Sequence, residues 1–545
     1  MPDDAVKTTT KSEGAALDPL RHVAFSTLWI ATVVSNIGTW MQNAAAGWLM
    51  TGLTQDAFIV SLVQVATMLP VVLLGLPAGA LADIIDRRNL LIAVNGVLTL
   101  VVTALALLVW LDWVTPWILL LFTFLVGAAS ALIAPAWQAI VPSLVPQKDL
   151  QAAISLNSVG INISRAVGPA LAGIIIGVLG LAAPFWFNAL STLGVIAVLI
   201  WWKPQHSGGD MLPPERFHSA LRIGWRHARH NRHLTATLMR AAGFFVFASA
   251  YWALLPLVAR DQIASGPQLY GLLLGTIGVG AVGGAFLLPR LKAWLGPNNL
   301  VAAATGGTAL ALVLFGLARS PIVGLAAAAL AGISWIAVLA PLNVSAQVAL
   351  PGWVKGRGLA IFATVQFGAM ALGSAFWGQL GKLMGLPTAH FLAAVGALVC
   401  IPLLMRWRLQ TGADVDLTPS MHWPTPVLAA EVEPDRGPVQ IVIEYRIAPA
   451  DREAFLDTIN ELSAERYRDG AYDWDVFEDA AEPGRMIETF LVASWLEHQR
   501  QHHRVTSADQ DVQARLRAFH KGDAPPVVQH LIAARQSNRP TPATR

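Results

Sequence analysis

The stretch GALADIIDRRNLL, Gly79–Leu91, puts two carboxylates, Asp83 and Asp86, and two guanidiniums, Arg87 and Arg88, into six residues. On its left FIVSLVQVATMLPVVLLGLPAGALA (58–82) carries no charge, and on its right neither does NLLIAVNGVLTLVVTALALLVWL (89–111). A bilayer core takes about 20 apolar residues per helix. Two such runs joined by a charged turn read as a transmembrane hairpin. The fold then depends on how often the pattern recurs.

It recurs along most of the chain. Apolar spans fall at 24–50, 57–82, 90–111, 115–141, 151–178 and 181–202, then at 236–260, 268–293, 299–318, 321–348, 356–384 and 387–408. Composition agrees: 55% of the 545 residues are hydrophobic and 13% charged, where a soluble domain has about 25% charged. A net charge of +3 gives no reason to expect nucleic acid as a partner. The single cysteine, Cys400, excludes a disulfide framework. The polar start lacks a short apolar core with a cleavage site, so no signal peptide is expected.

Lys and Arg in short loops set orientation. Lys7, Lys11, Arg21, Arg87, Arg88, Lys148, Arg290, Lys292, Lys355, Arg357, Arg406 and Arg408 fall on one side, and Arg260, Arg319 and Lys382 on the other. Both termini and the Asp83–Arg88 turn are therefore expected in the cytoplasm. The domain plan is a cytoplasmic segment (1–23), a six-helix half (24–202), a linker (203–235), a second six-helix half (236–408), a Pro-rich linker (409–438) and a cytoplasmic domain (439–545). In the first linker, Arg216–Arg232 reads equally as a basic amphipathic helix on the inner leaflet or as a solvated connection.

The halves repeat. Gly38, Gly75, Gly79, Gly127, Gly168, Gly173 and Gly180 each have a glycine 205 positions later: Gly243, Gly280, Gly284, Gly332, Gly373, Gly378 and Gly385. Glycine lets membrane helices approach closely. Two six-helix repeats around a midplane site are the plan of a secondary transporter.

These residues resemble the major facilitator superfamily. GALADIIDRR is similar to its signature between the second and third spans at Gly79, Leu81, Ala82, Asp83, Arg87 and Arg88, and departs from it at Ile84 and Asp86. SRAVGPALAG (164–173) resembles the fifth-span signature of the antiporter branch at Gly168, Pro169 and Gly173, which implies a helix-packing role for those three. SNIGTWMQ (35–42), LVPQKDLQAAISLNS (144–158) and LPGWVKGRGLAIF (350–362) look like the transmembrane secretion effector family. The resemblance implies efflux of siderophores or amphipathic drugs across a bacterial inner membrane, with a coupling proton. It also implies that Asp83 meets the start of the eleventh span, where Gly356 and Arg357 lie. Asp83, Arg87, Arg88, Gly79, Gly356 and Arg357 are thus the expected gating residues.

Polar groups inside the spans are candidates for substrate binding, because each is costly there. The set is Asn36, Gln42, Asn43, Gln138, Asn162, Arg165, Asn343 and Gln366, with Gln64, Asn157 and Gln347 also in spans. Asn36 and Asn43, seven apart, share a helix face. Arg165 must find a partner or water; it either holds an anionic group of the substrate or locks the fifth span to a neighbour. No Asp or Glu lies in the middle of any span, so the coupling proton lacks an obvious carrier.

After the Pro-rich linker come a strand (439–447), a helix (451–466), two strands, a polar helix (495–520) and a last strand. This βαββαβ order is ferredoxin-like, and resembles small antibiotic-biosynthesis monooxygenases, which implies dimerisation through this domain. His498 and His502 stand one helical turn apart, yet without a third ligand they read as a solvated face, and no metal or cofactor is expected. The expected fold class is an all-α polytopic membrane protein, twelve helices in two six-helix repeats, plus a small α+β ferredoxin-like domain. The expected function is a small-molecule exporter in the lipid bilayer. The alternative is a membrane-tethered enzyme or sensor whose C-terminal domain is the active part.

Overall fold

The computed structural model describes residues 17–202, 226–351, 353–410, 420, 432–522 and 524–534; the side chains at 76, 80, 82–84, 503, 508 and 509 also lie outside the description. Eleven described helices are long and apolar enough to cross a membrane. In chain order they are α1 (Val23–Leu53), α2 (Ala57–Ile84), α3 (Arg87–Trp110), α4 (Pro116–Ile140), α5 (Leu150–Leu179), α6 (Ala183–Trp201), α7 (Arg232–Leu257), α8 (Pro267–Leu317), α9 (Pro321–Val348), α10 (Lys355–Met384) and α11 (Leu386–Met405). The 51-residue α8 is two helices in one, since Gly296 breaks it at φ 70° and Pro297 restarts it. Among the described residues the crossings therefore number twelve, as the hydropathy pattern predicts.

The opening stretch builds this bundle in a way its signature does not reveal. Asp86, where the superfamily pattern has glycine, is the N-cap of α3, its carboxylate accepting from the Asn89 amide at 2.9 Å. Arg88 donates to the carbonyls of Leu199 (2.7 Å) and Ile200 (2.9 Å), in the last turn of α6. Arg87 donates to the Ala139 carbonyl at the end of α4, at 3.2 Å. Both guanidiniums thus satisfy carbonyls that a helix C-terminus leaves open, and each also meets the negative end of the helix dipole. Gly79 is a correction. Among the described residues a Cβ there would meet nothing within 4 Å, so no close contact explains this glycine, whereas its repeat partner Gly284 packs on Ile333 and Ile336 of α9.

Other glycine pairs repeat contact for contact. A Cβ on Gly38 would strike Ser191 and Asn188 of α6, and one on Gly243 would strike Leu404 and Cys400 of α11. Gly127 lies on the Thr67 carbonyl of α2, and Gly332 on the Ile277 carbonyl of α8. Gly168 packs on Trp40 and Ile37 of α1, and Gly373 on Ser249 and Val246 of α7. Gly173 meets Pro267 and Gly271 of α8, and Gly378 meets Ser61 and Ala57 of α2. The offset of 205 is therefore a spatial repeat: spans one, two, four, five and six recur as seven, eight, ten, eleven and twelve.

The chain divides into two compact units. The first comprises Met1–Met211, Met239–Pro341 and Ala363–Trp407, and the second Leu212–Leu238, Leu342–Phe362 and Arg408–Arg545. In the second unit lie β1 (Val439–Arg446), α12 (Arg452–Arg468), β2 (Tyr472–Glu478), β3 (Arg485–Val492), α13 (Trp495–Arg504), α14 (Ser507–Ala518) and β4 (Val527–Ile532). The sheet order is β2-β3-β1-β4, all antiparallel. β1 and β3 alternate buried and half-buried residues, and their inner face holds Ile441, Tyr445 and Phe490 against Phe455, Ile459 and Leu462 of α12. The single helix expected at 495–520 is two, separated at Val505 and Thr506, with Val505 extended.

Two further expectations are corrected here. Residues 203–225 of the linker lie outside the described residues, but the helical turn at 226–230 is occupied within the second unit. Arg226 donates to the carbonyls of Gly470 (2.9 Å) and Ala471 (2.8 Å), just past the end of α12. The His230 ring stacks on Tyr467, and Asn231 donates to the Ala349 carbonyl at 2.7 Å. Trp353 lies between His227, edge to face at 5.4 Å, and the Arg504 guanidinium, 4.4 Å from its ring centroid. These basic residues grip protein, where carbonyls and rings partner them. His498 is likewise buried rather than solvated, its ring 4.9 Å from His502 and 4.7 Å from His530.

Burial, and then the Arg468 charge, lower the His227 pKa to about 3; burial, and then His530 and His502, lower that of His498 to about 3. Both pKa values fall on folding, so the unfolded chain binds more protons below its ordinary histidine pKa of 6.5. The stability they support is present above 6.5 and is lost as pH falls from there toward 3. At pH 5.5 the cost is about 1.4 kcal/mol for each histidine. Protection factors of the β1 and β3 amides, taken against the slower intrinsic exchange at lower pH, should fall by about a hundredfold between pH 7.5 and 5.5, and His227→Gln with His498→Gln should remove most of that fall.

Candidate functional site: a cavity between the two repeats

A cavity of about 530 Å³ lies inside the first unit. α1 supplies one wall: Asn36, Trp40 and Asn43 stand at i, i+4 and i+7, the spacing of one helix face. α2 adds Gln64, α4 adds Gln138, and α5 adds Asn157 and Arg165. From the second half come Trp252 of α7, Tyr270 of α8, Trp335 of α9 and Gln366 of α10. Both repeats therefore line it, and Arg165 is the one charged residue among its described lining residues. Pockets for bulky small molecules are built this way, mostly apolar and aromatic with a few polar groups.

Of the expected substrate residues, Asn36, Asn43, Gln138, Arg165 and Gln366 line this cavity. Gln42, Asn162 and Asn343 are not among the lining residues. Gln42 is buried and its Oε1 accepts from Asn188 Nδ2 at 2.6 Å, fastening α1 to α6. Asn162 is exposed and donates to the Ser158 carbonyl one turn back at 2.8 Å. Asn343 is in the second unit. Amides at similar depth thus split between lining and gluing. The helix face that each occupies decides which, and the amide alone cannot.

The aromatic wall was not foreseen. Trp40, Trp252, Trp335 and Tyr270 carry most of it, and Asn95 of α3 is a further amide there. The signal was present at Trp40, which shares the face of Asn36 and Asn43. A second arginine within the bundle, Arg240 of α7, was also overlooked. It is buried, with Nε donating to the Trp407 carbonyl (2.7 Å) and Nη1 to that of Asn298 (3.3 Å).

At the end of the bundle away from the Asp83–Arg88 turn, the halves are joined by polar contacts. Lys382 at the end of α10 pairs with Asp56, the N-cap of α2, at 2.6 Å. Arg260, just beyond α7, donates to Thr51 of α1 at 3.1 Å. The hydrogen bond from Lys382 holds the Asp56 carboxyl below its ordinary pKa. At the other end, Gly356 and Arg357 lie in the first turn of α10, within the second unit. The Asp83 side chain lies outside the described residues. Among the described residues, no group of three His, Cys, Asp or Glu side chains could hold a metal ion.

Twelve crossings among the described residues, in two repeats around a shared cavity, define a multi-pass membrane protein of the major facilitator fold. Solved structures agree on the fold: a peptide-transporter-family protein in complex with 5-aminolevulinic acid (TM-score 0.58, 12% identity, 70% of this chain and 95% of that one) and a bacterial homologue of the lysosomal transporter Spinster, inward-facing (TM-score 0.54, 15% identity, 72% and 96%). The chain belongs to the transmembrane secretion effector family, whose profile matches residues 14–539, C-terminal sheet included. Its relatives are transporters rather than enzymes. The staphyloferrin A transporter of Staphylococcus aureus is 27% identical over 48% of this chain, which spans 66% of that relative, just under two thirds. The multidrug efflux pump Tap of Mycobacterium tuberculosis is 26% identical over 75% of this chain and 99% of its own length. The enterobactin exporter EntS of Escherichia coli is 25% identical over 70% and 91%.

Proposed function

We propose that the protein is a secondary active exporter that carries an amphipathic small molecule, of the siderophore or drug class, out of a bacterial cell through its inner membrane. The observation that carries this reading is the cavity. Its lining comes from both repeats, and its mixed amide and aromatic wall suits a bulky molecule with a few polar groups. Rocking of one half against the other would expose it alternately to each side. The names of the relatives support the substrate classes. The positive-inside bias supports cytoplasmic termini. The test compares efflux of a panel of siderophores and drugs from cells with and without the gene. Retention in cells that lack it is expected, and unchanged accumulation across the panel would sink the proposal.

Asp83, at the C-terminal turn of α2, is proposed as the cytoplasmic latch, with Arg87 and Arg88 holding the turn in place. Asp83→Asn should lower transport severalfold at normal expression, and transport at the wild-type rate would remove the latch. A coupling proton and pairing through the C-terminal domain belong to the same proposal. Proton uptake by proteoliposomes on substrate addition, and the molar mass of the purified full chain, are their measurements.

A further inference from the structure

We infer that the transported molecule is an anion with a flat aromatic part, and that Arg165 receives its charge; this rests on the cavity being the transport site. Two arginines of the first unit's helices, Arg165 and Arg240, make an instructive pair. Arg240 has its guanidinium tied to two carbonyls and does a structural job. For Arg165, no hydrogen bond or ion pair holds the guanidinium among the described residues, and its Nε is fully enclosed without a partner. Its one specific neighbour is the Trp40 ring, 5.3 Å from the guanidinium carbon.

Locking α5 in place needs no arginine. Gly168 and Gly173 already hold α5 against α1 and α8, and Ser164 donates to the Val33 carbonyl at 3.2 Å. Beyond the Trp40 ring of α1, the alternative role for Arg165 has no contact among the described residues to support it. A guanidinium out of bulk water costs free energy unless an anion or strong acceptors meet it. Its planar fork fits a carboxylate, sulfonate or ring-oxygen pair. Among the described lining residues there is no Asp or Glu, so a cation would find no counter-charge there and would be repelled by Arg165. Beside Arg165 is a recess of about 50 Å³, walled by Trp40, Trp252, Tyr270 and Trp335 with the amides of Asn43 and Gln64. Rings of this kind hold a flat aromatic body next to the charge.

The test uses the full chain in lipid nanodiscs and two fluorescent probes of matching shape. One is the anion anilinonaphthalene sulfonate, and the other is its uncharged counterpart phenylnaphthylamine. Binding is read by quenching of the cavity tryptophans. Arg165→Gln should weaken the sulfonate by about tenfold or more, the factor that one charged hydrogen bond supplies, and leave phenylnaphthylamine within about twofold. Arg165→Lys should keep most of the preference. Equal affinity of the wild type for both probes, or equal loss of both in Arg165→Gln, overturns the inference. Proteoliposomes separate it from the export reading. A sulfonate that binds through Arg165 but is not moved supports the anion site and refutes export. Export of phenylnaphthylamine or of the cation ethidium, with Arg165→Gln without effect, supports export and overturns the anion site.

Discussion

Glu488→Ala should unfold the C-terminal sheet at ordinary temperature, at a cost of about 3–5 kcal/mol. Glu488 on β3 is fully buried. Its carboxylate accepts from Arg466 Nε at 2.9 Å and Nη2 at 3.3 Å, from the Tyr445 hydroxyl at 3.1 Å and from Trp474 Nε1 at 3.0 Å. One side chain thus ties β3 to α12, β1 and β2. Burial, and then the Glu488 charge, hold the Tyr445 phenol well above its ordinary pKa, so it remains a donor. Without Glu488, the buried Arg466 loses the carboxylate that takes two of its N–H donors, with the Phe490 ring 5.0 Å from its guanidinium. The penalty of burying that guanidinium without its carboxylate, more than the lost bonds, makes the effect large. Limited proteolysis of the full chain should then release fragments from within 439–534 while the helical part stays intact. Glu488→Leu combined with Arg466→Met should recover much of the stability, because well-packed apolar groups often replace a buried pair without loss. Melting of Glu488→Ala at the wild-type temperature would show that the network holds nothing together.

The same contrast explains what the sequence could and could not reveal. The bundle was legible because the bilayer imposes a length and a polarity that any 20-residue window displays. The repeat was legible because a helix contact that admits only glycine leaves a mark at fixed spacing. The cavity was half legible. Asn36 and Asn43 announce a shared face, but Gln42 and Asn162 are as polar and lie elsewhere, since Asn188 and the Ser158 carbonyl claim them. Trp252, Trp335 and Tyr270 were not legible, because an aromatic residue costs nothing in a membrane helix and so raises no flag. Asp86 and Arg88 read as charge at a turn. Their capping of α3 and α6 depends on where those helices end relative to one another, which one-dimensional spacing does not encode. His227 and Arg504 meet over Trp353 from distant parts of the chain, and nothing local predicts that meeting.

Gly173→Val should separate α5 from α8 and abolish transport, with a loss of about 3 kcal/mol in stability, the upper range for overpacking. A Cβ at Gly173 would lie 2.7 Å from the Pro267 carbonyl oxygen and 3.2 Å from the Cα of Gly271. The clash is reciprocal: a Cβ at Gly271 would lie 2.5 Å from the Pro169 carbonyl oxygen and 2.9 Å from the Cα of Gly173. All of these are backbone atoms, which have no rotamer with which to yield. Relief requires that the helices move apart, and the dispersion contacts that hold membrane helices together fall off steeply with distance. α5 belongs to the first half and α8 to the second, so this contact crosses the seam on which the halves would pivot. The control is on α8, the helix that Gly173 packs against. Gly283 faces open space, with nothing within 4 Å of an added Cβ, and Gly283→Val should melt and transport as the wild type does. Gly378→Val, at the equivalent seam where α10 meets Ser61 and Ala57 of α2, should reproduce the Gly173→Val defect. A pair of defects at the repeat-related seams with none at Gly283 would identify the seams, rather than the glycine content, as what transport requires. Normal transport by Gly173→Val would mean that α5 and α8 need not touch at all, and that the halves pivot elsewhere.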